Sequence, residues 1–302
     1  MIECVVNVSE GRRPEVVAAV AAACGPALLD VHSDPDHNRS VLTLAGPPEA
    51  VADAALALAR IAVGRIDLSG HTGVHPRLGA VDVVPFVPLD GGSSSPAELA
   101  LPERGLVEAG VVARGWGRRA AAELGVPVFL YGAADPEGRS LPEVRRQAFR
   151  RRQPDFGPGK PHPTAGAMAV GARPVLVAIN CELASGPDGL EADLEVARAV
   201  AREVRERDGG LAGVRALGLA LATKGRAQVS MNLTDLAATG VEAACEAVRR
   251  VARRRGGDVT AVELVGLLPA AELQRCSDRF LSWSGLSPEG TIEACLGRAG
   301  SG

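Results

Sequence analysis

The chain has 302 residues, of which 46% are apolar and 23% charged, with a formal net charge of −3. That balance excludes a disordered chain and argues against a dedicated nucleic-acid binder, which would carry a basic stripe. No charge-free apolar run of about 18 residues occurs, so no membrane span is expected, and the N-terminus lacks the basic and apolar regions of a signal peptide. The six cysteines are far apart with no Cys-x-x-Cys pair, which suits reduced, buried thiols in a cytoplasmic protein. Near this length a single core stops growing, and two domains are expected.

Residues 3–8 read as a strand, followed by the turn Ser9-Glu10-Gly11 and a helix from Arg12 to Cys24 that stops at Gly25. Leu28–His32 and Ser40–Ala45 are strands, separated by the polar turn 33–39, which looks too hydrophilic for a core element. Pro47-Pro48-Glu49 opens an Ala/Leu helix to Ile66, since proline is tolerated at a helix start. After a glycine-rich stretch, 69–80, come the strand Val81–Val87, a helix from Pro96 to Leu124, the strand Val126–Tyr131 and a basic helix Leu141–Arg151. Residues 153–172 hold four prolines and four glycines and read as a loop at the domain boundary.

The second half alternates again: strand Pro174–Leu183, helix Leu190–Arg207, strands Val214–Ala222 and Ala227–Leu233, helix Val241–Arg255, strand Val259–Leu267, then helices to the end. A β-α-β-β-α-β order in each half predicts an α/β (α+β) protein. It would have two ferredoxin-like βαββαβ subdomains, 1–173 and 174–302, with a cleft between them. No GxGxxG and no GxxxxGK[ST] occurs, so neither a Rossmann nor a P-loop phosphate turn is expected.

The segment Gly70-His71-Thr72-Gly73-Val74-His75-Pro76-Arg77-Leu78-Gly79 carries the strongest chemical signal. On a helix, His71 and His75 would form a metal-binding pair. Gly73 between them and Pro76 after His75 oppose a helix, because the residue before proline is pushed out of the helical region. His75 is expected on a loop entering strand 81–87, flanked by glycines that permit close approach, with Arg77 two residues on. The region Asp30 to Arg39 adds carboxylates that could orient an imidazole, and Asn38 and Arg39 that could hold a substrate carboxylate. Residues 145–152 hold five arginines, followed by Lys160, a cationic face or an anion dock.

These residues meet a known pattern. Glu3-Cys4-Val5-Val6-Asn7-Val8-Ser9-Glu10-Gly11, Asn38-Arg39, Gly46-Pro47-Pro48-Glu49 and His71-x-Gly-x-His75-Pro76-Arg77-x-Gly79-Ala80-x-Asp82 resemble the glutamate formimidoyltransferase (formiminotransferase) family. Leu130-Tyr131-Gly132, Pro154 to Pro158, Ala227 to Ser230 and Leu264 to Leu267 extend the resemblance through nearly the whole chain. It implies transfer of the formimino group of N-formiminoglutamate to N5 of tetrahydrofolate, here expected from a stand-alone form without the fused cyclodeaminase. By that resemblance the catalytic residue is His75.

The folate loop is implied at Gly157, Pro158, Gly159, Lys160, Pro161, His162, Pro163, Thr164, Ala165 and Gly166. Of these, Gly157, Pro158, Pro163 and Gly166 match the animal form. Ala165 replaces an aromatic residue and Pro161 a Phe, departures that bear on stacking against the pterin or benzoyl ring. Asn7, Asp34, Asn38, Arg39 and Arg77 are the expected substrate-binding residues. The animal form has Asp where this chain has His32, so Asp30 or Asp34 is the candidate to orient His75.

No metal is expected, and tetrahydrofolate enters as co-substrate. Its polyglutamate tail would dock on the 145–152 arginines. A homodimer and a separate cyclodeaminase are further implications, with no nucleic-acid or membrane partner. Two rivals stay open: a metal-dependent hydrolase using His71 and His75, and a non-catalytic folate-binding protein.

Overall fold

The structure, a computed structural model, describes residues 1–89 and 103–299. They form two compact units, residues 1–89 with 103–174 and residues 175–299.

The first unit runs β1 (Ile2–Val8), α1 (Pro14–Ala22), β2 (Leu28–Asp34), β3 (Arg39–Gly46), α2 (Pro48–Arg65), β4 (Val81–Pro88), α3 (Glu103–Leu124), β5 (Val128–Gly132), α4 (Leu141–Gln147) and β6 (Met168–Ala172). Residues 96–102 of the expected long helix lie outside the described residues. The sheet order is β2-β3-β1-β4-β6-β5. Its first four strands are the expected ferredoxin-like layer, joined antiparallel, and β6 and β5 extend it in parallel beyond β4. The α1, α2 and α3 side chains Val16, Leu58 and Trp116 join Val6 and Phe86 in the main core on one face. A smaller cluster, with Val83, Phe129, Tyr131 and Val144, lies under α4 on the other.

Three sequence expectations need correction here. Residues 153–172 are not a linker: the segment returns to the first unit and ends as β6, wedged between β4 and β5. The basic helix stops at Gln147 rather than Arg151, because Phe149 takes a left-handed conformation (φ 58°) and packs edge-on against Phe129 at 4.9 Å. The polar turn 33–39 is not a solvated hairpin, since Asp34, Asp36, His37 and Asn38 are all buried.

The second unit runs β7 (Val177–Leu183), α5 (Leu190–Val204), β8 (Val214–Leu221), β9 (Arg226–Leu233), α6 (Val241–Arg254) and β10 (Val259–Val265). Its antiparallel sheet has the order β10-β7-β9-β8, the expected ferredoxin-like topology. In α6 Val241, Ala244, Cys245, Val248, Val251 and Ala252 recur at helical spacing and face the core. Three short helices follow, α7 (Ala270–Gln274), α8 (Asp278–Ser284) and α9 (Ile292–Ala299). Among the described residues no helix is long and apolar enough to cross a membrane.

Two glycines separate close approach from mere tolerance. A Cβ on Gly79 would lie 2.0 Å from the Ala167 carbonyl oxygen, whereas one on Gly115, mid-way along α3, would meet nothing within 4 Å. Gly79→Ala should therefore destabilise by roughly 1–3 kcal/mol as backbone is forced apart, and Gly115→Ala should stabilise by roughly 0.5–1 kcal/mol. Urea midpoints at constant slope measure both, and equal shifts would contradict this packing.

Candidate active site

The site begins with a slip in the sheet. β1 pairs with β4 as Asn7 opposite Val83, but Val8 opposite Val81, so Asp82 is one extra residue on β4. A bulge of this kind re-aims a side chain. Here it points Asp82 away from the main core, to the face that carries α4. The Asp82 carboxylate is fully buried, and its Oδ2 accepts from Arg39 Nη1 at 2.5 Å and from Arg145 Nη2 at 2.6 Å. Its Oδ1 accepts the Leu78 amide at 2.6 Å. Burial alone would raise this carboxyl, but the two guanidiniums overcome that and hold it well below the usual carboxylate range. Arg39 is aimed from a second side, its Nε donating to Asn7 Oδ1 at 3.1 Å.

His75 lies on the loop between α2 and β4. Its Nδ1 sits 2.8 Å from the Pro76 carbonyl oxygen. A carbonyl only accepts, so Nδ1 carries the hydrogen and Nε2 holds the ring's lone pair. The same Pro76 oxygen receives Arg145 Nη1 at 3.3 Å. The His37 ring stacks on the His75 ring at 6.1 Å and 25°. Burial and the Arg39 guanidinium push the His75 imidazole down to about 3, against a partial upward pull from Asp82. The ring is therefore neutral at physiological pH.

Arg77 staples the loop. Its Nη2 donates to the His75 carbonyl at 2.8 Å and to the His37 carbonyl at 3.3 Å, and its Nη1 donates to His71 Nδ1. Burial and this neighbouring charge lower His71, whose Nδ1 acts as an acceptor. Gly73 permits the fold, since a Cβ there would lie 2.5 Å from both Arg77 Nη2 and the His37 oxygen. Ser9 Oγ donates to the Gly79 carbonyl, and Glu10 accepts the Arg12 and Arg13 amides at the start of α1.

The 157–166 segment meets this loop through its last residues. Gly79 and Gly166 form a β-bridge, the Ala80 amide donates to the Ala165 oxygen at 2.9 Å, and the Leu68 amide to the Thr164 oxygen at 2.8 Å. His162 Nδ1 accepts the Thr164 and Ala165 amides and so shapes the turn. Ala165 is buried, Gly157 to Pro161 and Pro163 are exposed, and Lys160 stands among them.

His75, Arg39, Arg77 and Asn7 thus come together around Asp82. Asn38 and Asp34 have backbone work instead. Asn38 accepts the Gly11 amide and donates to the Thr72 carbonyl, and Asp34 accepts the His37 amide at 2.7 Å. Neither Asp30 nor Asp34 orients the His75 ring, a task done by the Pro76 carbonyl. The arginine run is divided: Arg145 reaches Asp82, while Arg152 is buried on Asp135 and Asp155. Asp82 was not singled out as a candidate, Arg145 was expected only as part of an anion dock, and His37 only as part of a polar turn. A lone Asp inside the apolar run Val81-Asp82-Val83-Val84 is the signal that pointed to the first. Among the described residues no group of three His, Cys, Asp or Glu is placed to hold a metal ion.

Comparison with known proteins places the chain in a family. The model of the "Formiminotransferase domain, N-terminal subdomain" matches residues 1–173, and that of the "Formiminotransferase domain" matches residues 189–290. The chain is 35% identical to the glutamate formimidoyltransferase of Streptococcus pyogenes serotype M1, covering 93% of each. It is 35% identical to that of Thermoplasma acidophilum, over 99% of this chain and 98% of the relative. The formimidoyltransferase-cyclodeaminase of Sus scrofa is 40% identical over 90% of this chain and 51% of that longer protein. The chain belongs to the formiminotransferase family.

Proposed function

We propose that this chain is a glutamate formimidoyltransferase, moving the formimino group of N-formiminoglutamate to N5 of tetrahydrofolate and releasing glutamate. The observation that carries the mechanism is the fixed His75 ring, with Nδ1–H on the Pro76 carbonyl and the Nε2 lone pair left for chemistry. N5 attacks the amidinium carbon and gives a tetrahedral intermediate. His75 Nε2 takes the proton from N5 and delivers it to the departing glutamate nitrogen, so the carbon–nitrogen bond to glutamate breaks as a neutral amine leaves. One imidazole serves as base and then as acid, contributing about 10²–10⁴-fold. Much of the remaining acceleration comes from holding two substrates together.

The guanidiniums of Arg39 and Arg77 suit the donor's carboxylates. In this reading the folate lies along residues 157–166, with Lys160 near its anionic tail and the backbone of Ala165 and Gly166 beside the base loop. The reading includes a cytoplasmic homodimer whose product passes to a separate cyclodeaminase. The fused relatives, named formimidoyltransferase-cyclodeaminases, pair the two activities.

Glutamate release should require tetrahydrofolate and survive chelator treatment. Release without folate would favour a hydrolase, metal-dependent if the chelator abolishes it, and no folate-dependent release at all would overturn the reading. His75→Ala should keep its melting temperature and lose kcat by roughly 10² or more, and near-normal turnover would remove His75 from the chemistry.

The pH profile gives a further check. The base form of His75 exists above its pKa, which lies well below the ordinary 6.5 in the free protein. The acid limb of kcat/KM should therefore fall below that value. Donor carboxylates bring negative charge to the guanidiniums that depress the ring, so the acid limb of kcat, which reports the complex, should lie at higher pH. Coincident limbs near 6.5 would contradict the assignment.

A further inference from the structure

Arg145 was grouped by sequence with four neighbouring arginines, yet its surroundings set it apart. Arg152 is buried and locked into ion pairs with Asp135 and Asp155, and Arg146, Arg150 and Arg151 are exposed. Arg145 alone of the five turns back from α4 into the His75 cluster.

Three facts define its position. The Pro76 carbonyl oxygen accepts from both His75 Nδ1 (2.8 Å) and Arg145 Nη1 (3.3 Å), so imidazole and guanidinium lie side by side on one acceptor. Asp82 Oδ2 receives Arg145 and Arg39 together, so one carboxylate balances two guanidiniums and the triad keeps one positive charge. The Arg145 side chain is 18% exposed and that of Arg39 10%, so the pair is anchored at its inner end but still reaches solvent.

We propose that Arg145 binds the α-carboxylate of the donor's glutamate moiety, with Asp82 as its positioning residue; this rests on the transferase reading above. The match is one of spacing. In a formimino-amino acid the nitrogen that must receive a proton is bonded to the carbon that bears the α-carboxylate. The ring that moves the proton and the carboxylate ligand must then be neighbours, as the His75 ring and Arg145 are about the shared Pro76 oxygen. Asp82 fixes the guanidinium in advance, which lowers the ordering cost of binding. A planar guanidinium offers a carboxylate two parallel bonds, which lysine cannot reproduce.

The test uses Arg145→Gln, Arg145→Lys and Arg145→Ala in the full chain, with KM measured separately for each substrate at saturating levels of the other. Loss of a charge-assisted bond should raise the KM for formiminoglutamate by about 10- to 100-fold in Arg145→Gln. The KM for monoglutamyl tetrahydrofolate should not change. Arg145→Lys should fall between wild type and Gln, and added methylguanidine should lower the donor KM of Arg145→Ala, which a purely structural role would not allow. An unchanged donor KM overturns the proposal. So does a rise in the folate KM instead, which would put the folate's own glutamate carboxylate on Arg145.

Should Arg145→Gln fail to fold, Arg145→Lys decides: a raised donor KM supports the proposal and an unchanged one overturns it. A wild-type protein without folate-dependent glutamate release removes the transferase reading and this inference together. An active wild type with indifferent variants removes this inference alone.

Discussion

One buried carboxylate organises the candidate site. Asp82 has no exposed side-chain surface, and an unpaired ion in that position would cost several kcal/mol. Its charge is tolerated because three donors converge on it: Arg39 from β3, Arg145 from α4 and the Leu78 amide from the loop that carries His75. These elements are far apart in sequence, and the carboxylate ties them together. The single-residue slip between β1 and β4 makes this possible. In unbroken alternation Asp82 would fall on the face of Val84 and Phe86, which belong to the apolar core.

Around that anchor the loop is held almost entirely by main-chain acceptors. The Pro76 carbonyl sets the His75 tautomer, and the His75 and His37 carbonyls take Arg77. Burial and the Arg39 guanidinium together hold the imidazole down. In the proposed reaction a donor carboxylate would offset part of that positive charge and raise the ring's basicity as the proton is moved.

Much of this was legible in the sequence. Alternating apolar residues in the strands and helical spacing in α6 report burial directly, and all six principal elements of the second unit follow from them. Gly73 and Pro76 excluded a helix at His71–His75. What escaped depends on long-range contacts. β6 is Met-Ala-Val-Gly-Ala, weak in strand-forming residues, and is a strand only because β4 and β5 flank it. The turn 35–38 looked solvated because its residues are polar. Asp36, His37 and Asn38 are nevertheless buried because neighbouring loops satisfy their polar groups, as the Asn38 bonds to Gly11 and Thr72 show. Composition marked Arg145 as one of five like charges, and only its long-range contact with Asp82 separates it from the rest.

The bridge between Gly79 and Gly166 has a mechanical consequence. It couples the base loop to the 157–166 segment main chain to main chain, reinforced by the Ala80–Ala165 and Leu68–Thr164 bonds. Neither segment can swing without straining the other, and a side chain at either glycine would force them apart. The two loops are therefore joined as a single plate. Immobilising one narrows the thermal wandering of the other, so a folate held along 157–166, as proposed above, would sharpen the aim of the imidazole without touching it.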